Sequence, residues 1–265
     1  MRCVVRSLAI VCVFALAGCS GVTAATDLQA EVRKHDIVLM PEGPGPFPAV
    51  LMLHGCGGLG SRDRMWAERL RAWGIVTLRL NSLAPRGLTS VCGGGSLQPN
   101  DRVPDVIEAL AVLRARPGVD PSRIGMMGWS HGASTVLATL AALPADTPPV
   151  RGAIAFYPGC RQATSWKAHV PLLMLLGGAD EWAPAGYCQG LANRQERAGF
   201  SVEAITFAGA RHGFDNPQLA SARWIPEALG GRGVWMQYDP AGAEDSIERV
   251  QEFWARVLQS GRSGQ

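Results

Sequence analysis

Charge is scarce in this chain: 18% of its 265 residues carry it, and 25 basic side chains stand against 22 acidic ones. Without a strong field of either sign there is no footprint for a polyanion, so nucleic acid is not an expected partner. Long apolar runs are equally absent beyond residue 20, and no segment there is expected to cross a bilayer as a helix. Internal repeats and heptad series are missing too, which argues against solenoids, propellers and coiled coils. No Cys-x-x-Cys or His-x-x-x-His spacing occurs, so the sequence offers no metal-binding signature.

What the chain does contain begins at its N-terminus. Arg2 and Arg6 precede an apolar run from Leu8 to Ala17, the layout of a secretory signal. The run ends in Leu16-Ala17-Gly18-Cys19, which resembles the bacterial lipobox, with small residues where a peptidase must close on the chain. Residues 1–19 are therefore expected to be a lipoprotein-type signal cut before Cys19, which would carry lipid and attach the protein to a membrane. Ordinary cleavage near Ala24 or Ala25 is the alternative. Ser20, by resemblance to outer-membrane lipoproteins, argues against retention at the inner membrane, so an outer-membrane lipoprotein or a periplasmic protein is expected. Loss of the two arginines brings the net charge from +3 to about +1.

Cysteine usage agrees with export. Cys3 and Cys12 leave with the signal, and Cys56, Cys92, Cys160 and Cys188 remain, all in expected loops. Disulfides persist in oxidising compartments. Of three pairings, Cys56 with Cys92 and Cys160 with Cys188 are preferred, because each would join loops expected at the same edge of a sheet; free buried thiols are the alternative.

After a polar linker at 20–29, residues 30–260 alternate short apolar runs with amphipathic stretches, as expected of one α/β domain with a mostly parallel sheet. An antiparallel edge strand is expected over Val32 to Met40. Further strands are expected at Ala49 to Leu53, Ile75 to Leu80, Arg123 to Met127, Gly152 to Phe156, Leu172 to Leu176 and Val202 to Phe207. Helices are expected at Asp63 to Trp73, Val103 to Ala115, Ala133 to Leu143, Ala185 to Ala198 and Ala243 to Leu258.

Gly128-Trp129-Ser130-His131-Gly132 follows one of these strands and opens a helix. That context is a nucleophile elbow, a sharp turn that exposes the serine hydroxyl while flanking glycines let strand and helix approach. A serine hydroxyl is a weak nucleophile at neutral pH, so a base must take its proton and a carboxylate must orient the base. Asp180 follows the strand at Leu172 to Leu176, with Glu181 as its nearest rival. His212 sits in a glycine-flanked loop just past the last strand. The order Ser130, Asp180, His212 is that of serine hydrolases built on such sheets. His35 precedes the core, His169 lies before a strand, and His131 is locked into the elbow.

Attack on a carbonyl places negative charge on its oxygen, which backbone amides must already face. Leu53-His54-Gly55-Cys56-Gly57-Gly58 follows a strand, and the amides of Cys56 and His131 are the expected oxyanion hole, with His54 bracing the loop. The same stretch reads Gly55-x-Gly57-x-x-Gly60, a dinucleotide-binding pattern. That reading expects an acid about 20 residues on, where Arg79-Leu80-Asn81-Ser82 supplies none, and it leaves the triad unexplained.

Together these motifs, with Pro85-Arg86-Gly87, Phe156-Tyr157-Pro158-Gly159-Cys160, Asp180-Glu181-Trp182-Ala183-Pro184 and His212-Gly213-Phe214-Asp215, resemble the dienelactone hydrolase family over most of the mature chain. The resemblance implies the α/β-hydrolase fold, a mostly parallel central sheet with helices on both faces, and gives Ser130, Asp180 and His212 the triad roles. The namesake enzymes use a cysteine nucleophile; serine at 130 makes this chain resemble a serine branch.

For specificity, Arg86 could hold a substrate carboxylate, and Trp129, Trp182, Trp224 and Trp235 are candidates for an apolar acyl pocket; a solvated loop arginine and loop-packing tryptophans are the bland alternatives. The span from Asn216 to Gly242 is long enough to shape or cover a pocket. The expected activity is cleavage of a small-molecule ester or lactone through an acyl-enzyme, with no metal or organic cofactor required. A peptidase or acyltransferase would use the same chemistry, and a catalytically silent envelope scaffold would keep the fold without it.

Overall fold

The structure, a computed structural model, describes residues 37–143, 150–161 and 167–259. The signal segment, Cys19, the linker and His35 lie outside the described residues.

Seven strands form one sheet: β1 (Ile37–Leu39), β2 (Phe47–Leu53), β3 (Val76–Leu80), β4 (Val119–Trp129), β5 (Gly152–Phe156), β6 (Leu172–Gly177) and β7 (Val202–Phe207). Their order is β1-β3-β2-β4-β5-β6-β7. Only β1 runs antiparallel, on β3, and every other pairing is parallel. Five principal helices connect them: α1 (Ser61–Ala72), α2 (Val103–Ala115), α3 (His131–Ala142), α4 (Ala185–Arg197) and α5 (Pro240–Gln259).

The continuous apolar runs of the central strands are explained by burial on both sides. Successive side chains on a strand point to opposite faces, so Ala49, Leu51 and Leu53 of β2 join a core with α2, α3 and α4, while Val50 and Met52 join a second core with α1 and α5. The same division separates Leu172, Met174 and Leu176 of β6 from Leu173 and Leu175. The first core is largely aliphatic. The second holds Trp66, Trp129, Phe156, Tyr157, Phe214 and Trp254.

From β2 the chain crosses to β3 on one side, and later to β4 on the other. Such a reversal leaves a crevice at the C-terminal ends of β2 and β4, because the connecting helices diverge there. The loop after Leu53 and the turn at Ser130 both open into it.

Several boundaries differ from the sequence-based expectation by a few residues, two of them for clear reasons. Helix α1 begins at Ser61, because the carboxylate of Asp63 accepts the Gly60 amide at 2.7 Å and caps the first turn. Strand β4 starts at Val119, extended by pairing with Phe47 across a register shift. The span after His212 also contains an unforeseen antiparallel hairpin, β8 (Arg223–Ile225) with β9 (Val234–Met236). Three-residue strands are too short to display a period, and the glycines at 230, 231 and 233 read simply as a loop.

Both preferred disulfides are formed, Cys56–Cys92 and Cys160–Cys188. The second ties the loop after β5 to α4 across 28 positions of chain. Closing a loop of that length restricts the unfolded chain, and replacing both Cys160 and Cys188 by Ala is expected to lower the unfolding free energy by roughly 3 kcal/mol. Chemical denaturation followed by tryptophan fluorescence measures it; an unchanged midpoint would show that this bond carries no stability.

Candidate active site

The turn between β4 and α3 places Ser130 at φ 51°, ψ −115°, a region L-residues seldom occupy. Its amide donates to the Phe156 carbonyl at 2.9 Å, and its own carbonyl accepts the Ser134 amide at 2.8 Å. Glycine is obligatory on both sides. A Cβ at Gly132 would stand 2.1 Å from the Leu53 carbonyl oxygen, and one at Gly128 would stand 2.5 Å from the carbonyl oxygen of Gly132. The helix start therefore presses directly on the end of β2, and the serine is driven outward.

Three distant residues meet at that hydroxyl. His212 Nε2 lies 2.8 Å from Ser130 Oγ, and His212 Nδ1 lies 2.7 Å from Asp180 Oδ2. Asp180 Oδ1 accepts the amides of Trp182 and Ala183, both at 2.8 Å, so its side chain is fixed on two sides and fully buried. The rival Glu181 turns outward towards Arg211, at 3.7 Å. Such an arrangement can pass a proton from hydroxyl to imidazole while the carboxylate holds the ring.

Ser130, Tyr157, Trp182 and His212 separate two lobes of a cleft, one of about 510 Å³ and one of about 290 Å³. The larger is walled by the loop after β2, by Arg62 and by Ile225 and Met236 of the hairpin. Cys56 and Cys92 face both lobes. Trp182 stands 4.9 Å from the His212 ring and belongs to the wall, where the sequence placed it.

Other sequence candidates sit elsewhere. Arg86 does not reach the cleft: its guanidinium gives Asp105 a two-pronged contact at 2.8 and 2.9 Å and donates to the Ser82 carbonyl. Asp105 is fully buried at the start of α2 and requires a cation, which this loop arginine supplies. Trp129 is also misplaced as a pocket residue. Strand alternation turns it into the aromatic core, where it is fully buried and stacks on Phe156. Trp224 and Trp235 pair with each other on the outer face of the hairpin, about two-fifths exposed.

Sequence reasoning missed Asp215 and Tyr157 as individual residues. Asp215 Oδ2 accepts the indole N–H of Trp66 and of Trp129, each at 2.9 Å, and Oδ1 accepts the Tyr157 hydroxyl at 2.6 Å. Burial, and then the Asp215 charge, push the Tyr157 phenol well above its usual range. Its ring packs 4.6 Å from that of His212, so Asp215 supports the imidazole indirectly. The only signal was a carboxylate three positions past His212.

The Gly55–Gly60 stretch makes a poor dinucleotide site. The Asp63 carboxylate already occupies the N-terminus of α1, where a pyrophosphate would need to sit. His54 braces the loop as expected: Nδ1 donates to Gly55 O at 2.7 Å while Nε2 accepts the Ser82 amide at 3.2 Å. Burial, followed by the Arg102 charge, holds its pKa well below the usual value.

Burial and then Arg102 also bring His131 down from 6.5 to about 4. A histidine depressed in the folded state takes protons more readily when unfolded. Its contribution is therefore complete above pH 6.5 and is lost as pH falls towards 4. Thermal midpoints are expected to decline between pH 6.5 and 5, and less steeply for His131→Gln; parallel curves would remove His131 as a cause.

The family model of the dienelactone hydrolase family matches residues 36–258. A Klebsiella pneumoniae protein named as a dienelactone hydrolase superposes with a TM-score of 0.65 at 18% identity, covering 83% of this chain and 92% of that one. A dienelactone hydrolase-like promiscuous phosphotriesterase from metagenomic libraries gives 0.67 at 19% identity, over 84% and 92%. The butyrate-bound esterase Est2 of Thermogutta terrifontis gives 0.62 at 21% identity, over 86% and 91%. With an α/β-hydrolase sheet and a match over most of its length, the chain belongs to the dienelactone hydrolase family.

Proposed function

We propose that this protein is an exported serine hydrolase that cleaves carboxylic esters or lactones of small molecules. The observation that carries the reading is the continuous contact from Asp180 through His212 to Ser130, at 2.7 and 2.8 Å.

Ser130 Oγ attacks the substrate carbonyl as His212 Nε2 accepts its proton. Asp180 keeps Nδ1 protonated and stabilises the imidazolium that forms. The amides of His131 and Cys56 receive the oxyanion; that of His131 opens α3 and has no partner within the helix. Collapse of the tetrahedral intermediate breaks the bond to the alcohol, which leaves with the proton from His212. Water, deprotonated by His212, then releases the acid and restores Ser130. Two lobes meeting at the nucleophile suit a substrate with an acyl side and an alcohol side. A related protein named as an esterase and holding butyrate supports short acyl groups as the first to try.

Two disulfides support an oxidising compartment, and the Leu16-Ala17-Gly18-Cys19 motif supports a lipid anchor on Cys19. Among the described residues, no helix is long and apolar enough to cross a membrane.

A fluorophosphonate probe is expected to label the folded protein at Ser130. Ser130→Ala should lose both labelling and about 10⁴-fold or more in kcat on the best substrate from a panel of esters, lactones and amides. A folded wild type that neither labels nor turns over any member would sink the enzymatic reading in favour of a scaffold. Cys19→Ala is expected to move the protein from the membrane to the soluble periplasmic fraction; unchanged membrane retention would remove the anchor.

A further inference from the structure

Behind the proposed oxyanion hole lies a charge that the mechanism above does not use. Arg102 ends a 3₁₀ turn (Pro99–Arg102) that runs into α2, and its side chain is completely buried. Its Nη1 donates to the His54 carbonyl at 3.0 Å, and the same nitrogen stands 3.0 Å from His131 Nδ1. A guanidinium cannot accept, so Nδ1 of His131 must. Nε2 then carries the proton and donates to the Leu97 carbonyl at 3.0 Å. The His131 ring is thereby neutral and held at both ends.

One cation thus joins the two walls of the oxyanion hole, gripping the residue two places before Cys56 and the side chain of His131 itself. Asp105 and Asp63 stabilise the cation from nearby, yet neither hydrogen-bonds to it. Both oxygens of the nearby Asp105 are taken by Arg86, and Asp63 is engaged by Arg62 and the Gly60 amide. His131, whose ring it touches, and His54, whose carbonyl it holds, are kept neutral by burial and by Arg102. Burial lowers Arg102 to about 10, with Asp105 opposing the fall, so it remains charged at neutral pH.

Stability alone does not account for such a residue. Arg102 Nε and Nη2 are buried without a hydrogen-bond partner among the described residues. Unsatisfied buried donors are costly, and apolar side chains of similar volume commonly serve a core better than a buried ion. What a buried positive charge with no carboxylate hydrogen-bonded to it does favour is negative charge developing nearby in a site of low polarity.

We propose that Arg102 is a positioning residue for the oxyanion hole, aligning the Cys56 and His131 amides by clamping both walls and biasing the site electrostatically towards the tetrahedral oxyanion. The inference rests on Ser130 as nucleophile and on those two amides as donors. It separates Arg102 from Arg86, which neutralises Asp105 and has no such role.

The test compares Arg102→Met, Arg102→Gln and Arg102→Lys in the full disulfide-bonded protein. The readouts are kcat, KM, the inhibition constant of a boronic acid that forms an anionic tetrahedral adduct on Ser130, and the thermal midpoint. The Met and Gln variants are expected to lose about 10- to 100-fold in kcat with KM within about two-fold. Boronate affinity should fall in proportion to kcat, and Lys should recover part of both. Wild-type kcat and boronate affinity in a folded Met or Gln variant would overturn the proposal, as would a loss confined to KM. If Lys is no better than Gln, the electrostatic role fails. Should Met not fold, the Lys-to-Gln ratio in kcat and boronate affinity decides. Failure of the underlying assignment looks different, since the wild type would then not be labelled at Ser130.

Discussion

The backbone turn at residue 130 is the constraint on which the site depends. A non-glycine residue at φ 51° is strained by about 1–3 kcal/mol, and it persists only where surrounding contacts leave no alternative. Here Phe156 holds the amide, Ser134 holds the carbonyl, and the absence of side chains at 128 and 132 lets α3 rest on the end of β2. The strain has a geometric consequence. It points one hydroxyl into the crevice at the sheet's reversal point, and it brings the first amide of α3 beside the loop that carries Cys56.

Around this turn, the two faces of the sheet do different work. The aliphatic face supports α2, α3 and α4. The aromatic face is organised by a single carboxylate. Asp215 gathers two indoles and a phenol, and the phenol ring it fixes packs against His212. Buried polar networks are stable only when complete, so the imidazole's position is set both by Asp180 at one nitrogen and by Tyr157 against its ring.

Much of this was legible in the residues. Strands buried on both faces announce themselves as continuous apolar runs, and Gly152–Phe156 and Val202–Phe207 lie where their composition put them. Ser130, Asp180 and His212 could be selected because each follows a strand and their chemistry is interdependent. The order of contacts behind them was hidden. Arg86 looks like a loop cation available to substrate until Asp105, nineteen positions on, is seen to need it. Trp129 sits next to the serine in sequence, yet alternation sends it to the opposite side of the sheet. Arg102 and Asp215 act through partners 29 to 149 positions away, a distance over which no local pattern carries information.

The segment after His212 leaves the core and returns to it at nearly the same point. Asp239 donates its amide to the Phe214 carbonyl at 3.0 Å, and Gln237 donates to that of His212 at 3.3 Å, so the excursion bearing the hairpin is cinched at its neck. Asp215 lies just inside that neck and belongs to the support of the imidazole, whereas the hairpin strands lie farther along the excursion. The neck thus anchors the wall that Ile225 and Met236 give the larger lobe to the same loop that carries the imidazole, so the shape of that lobe and the placement of the ring share one attachment.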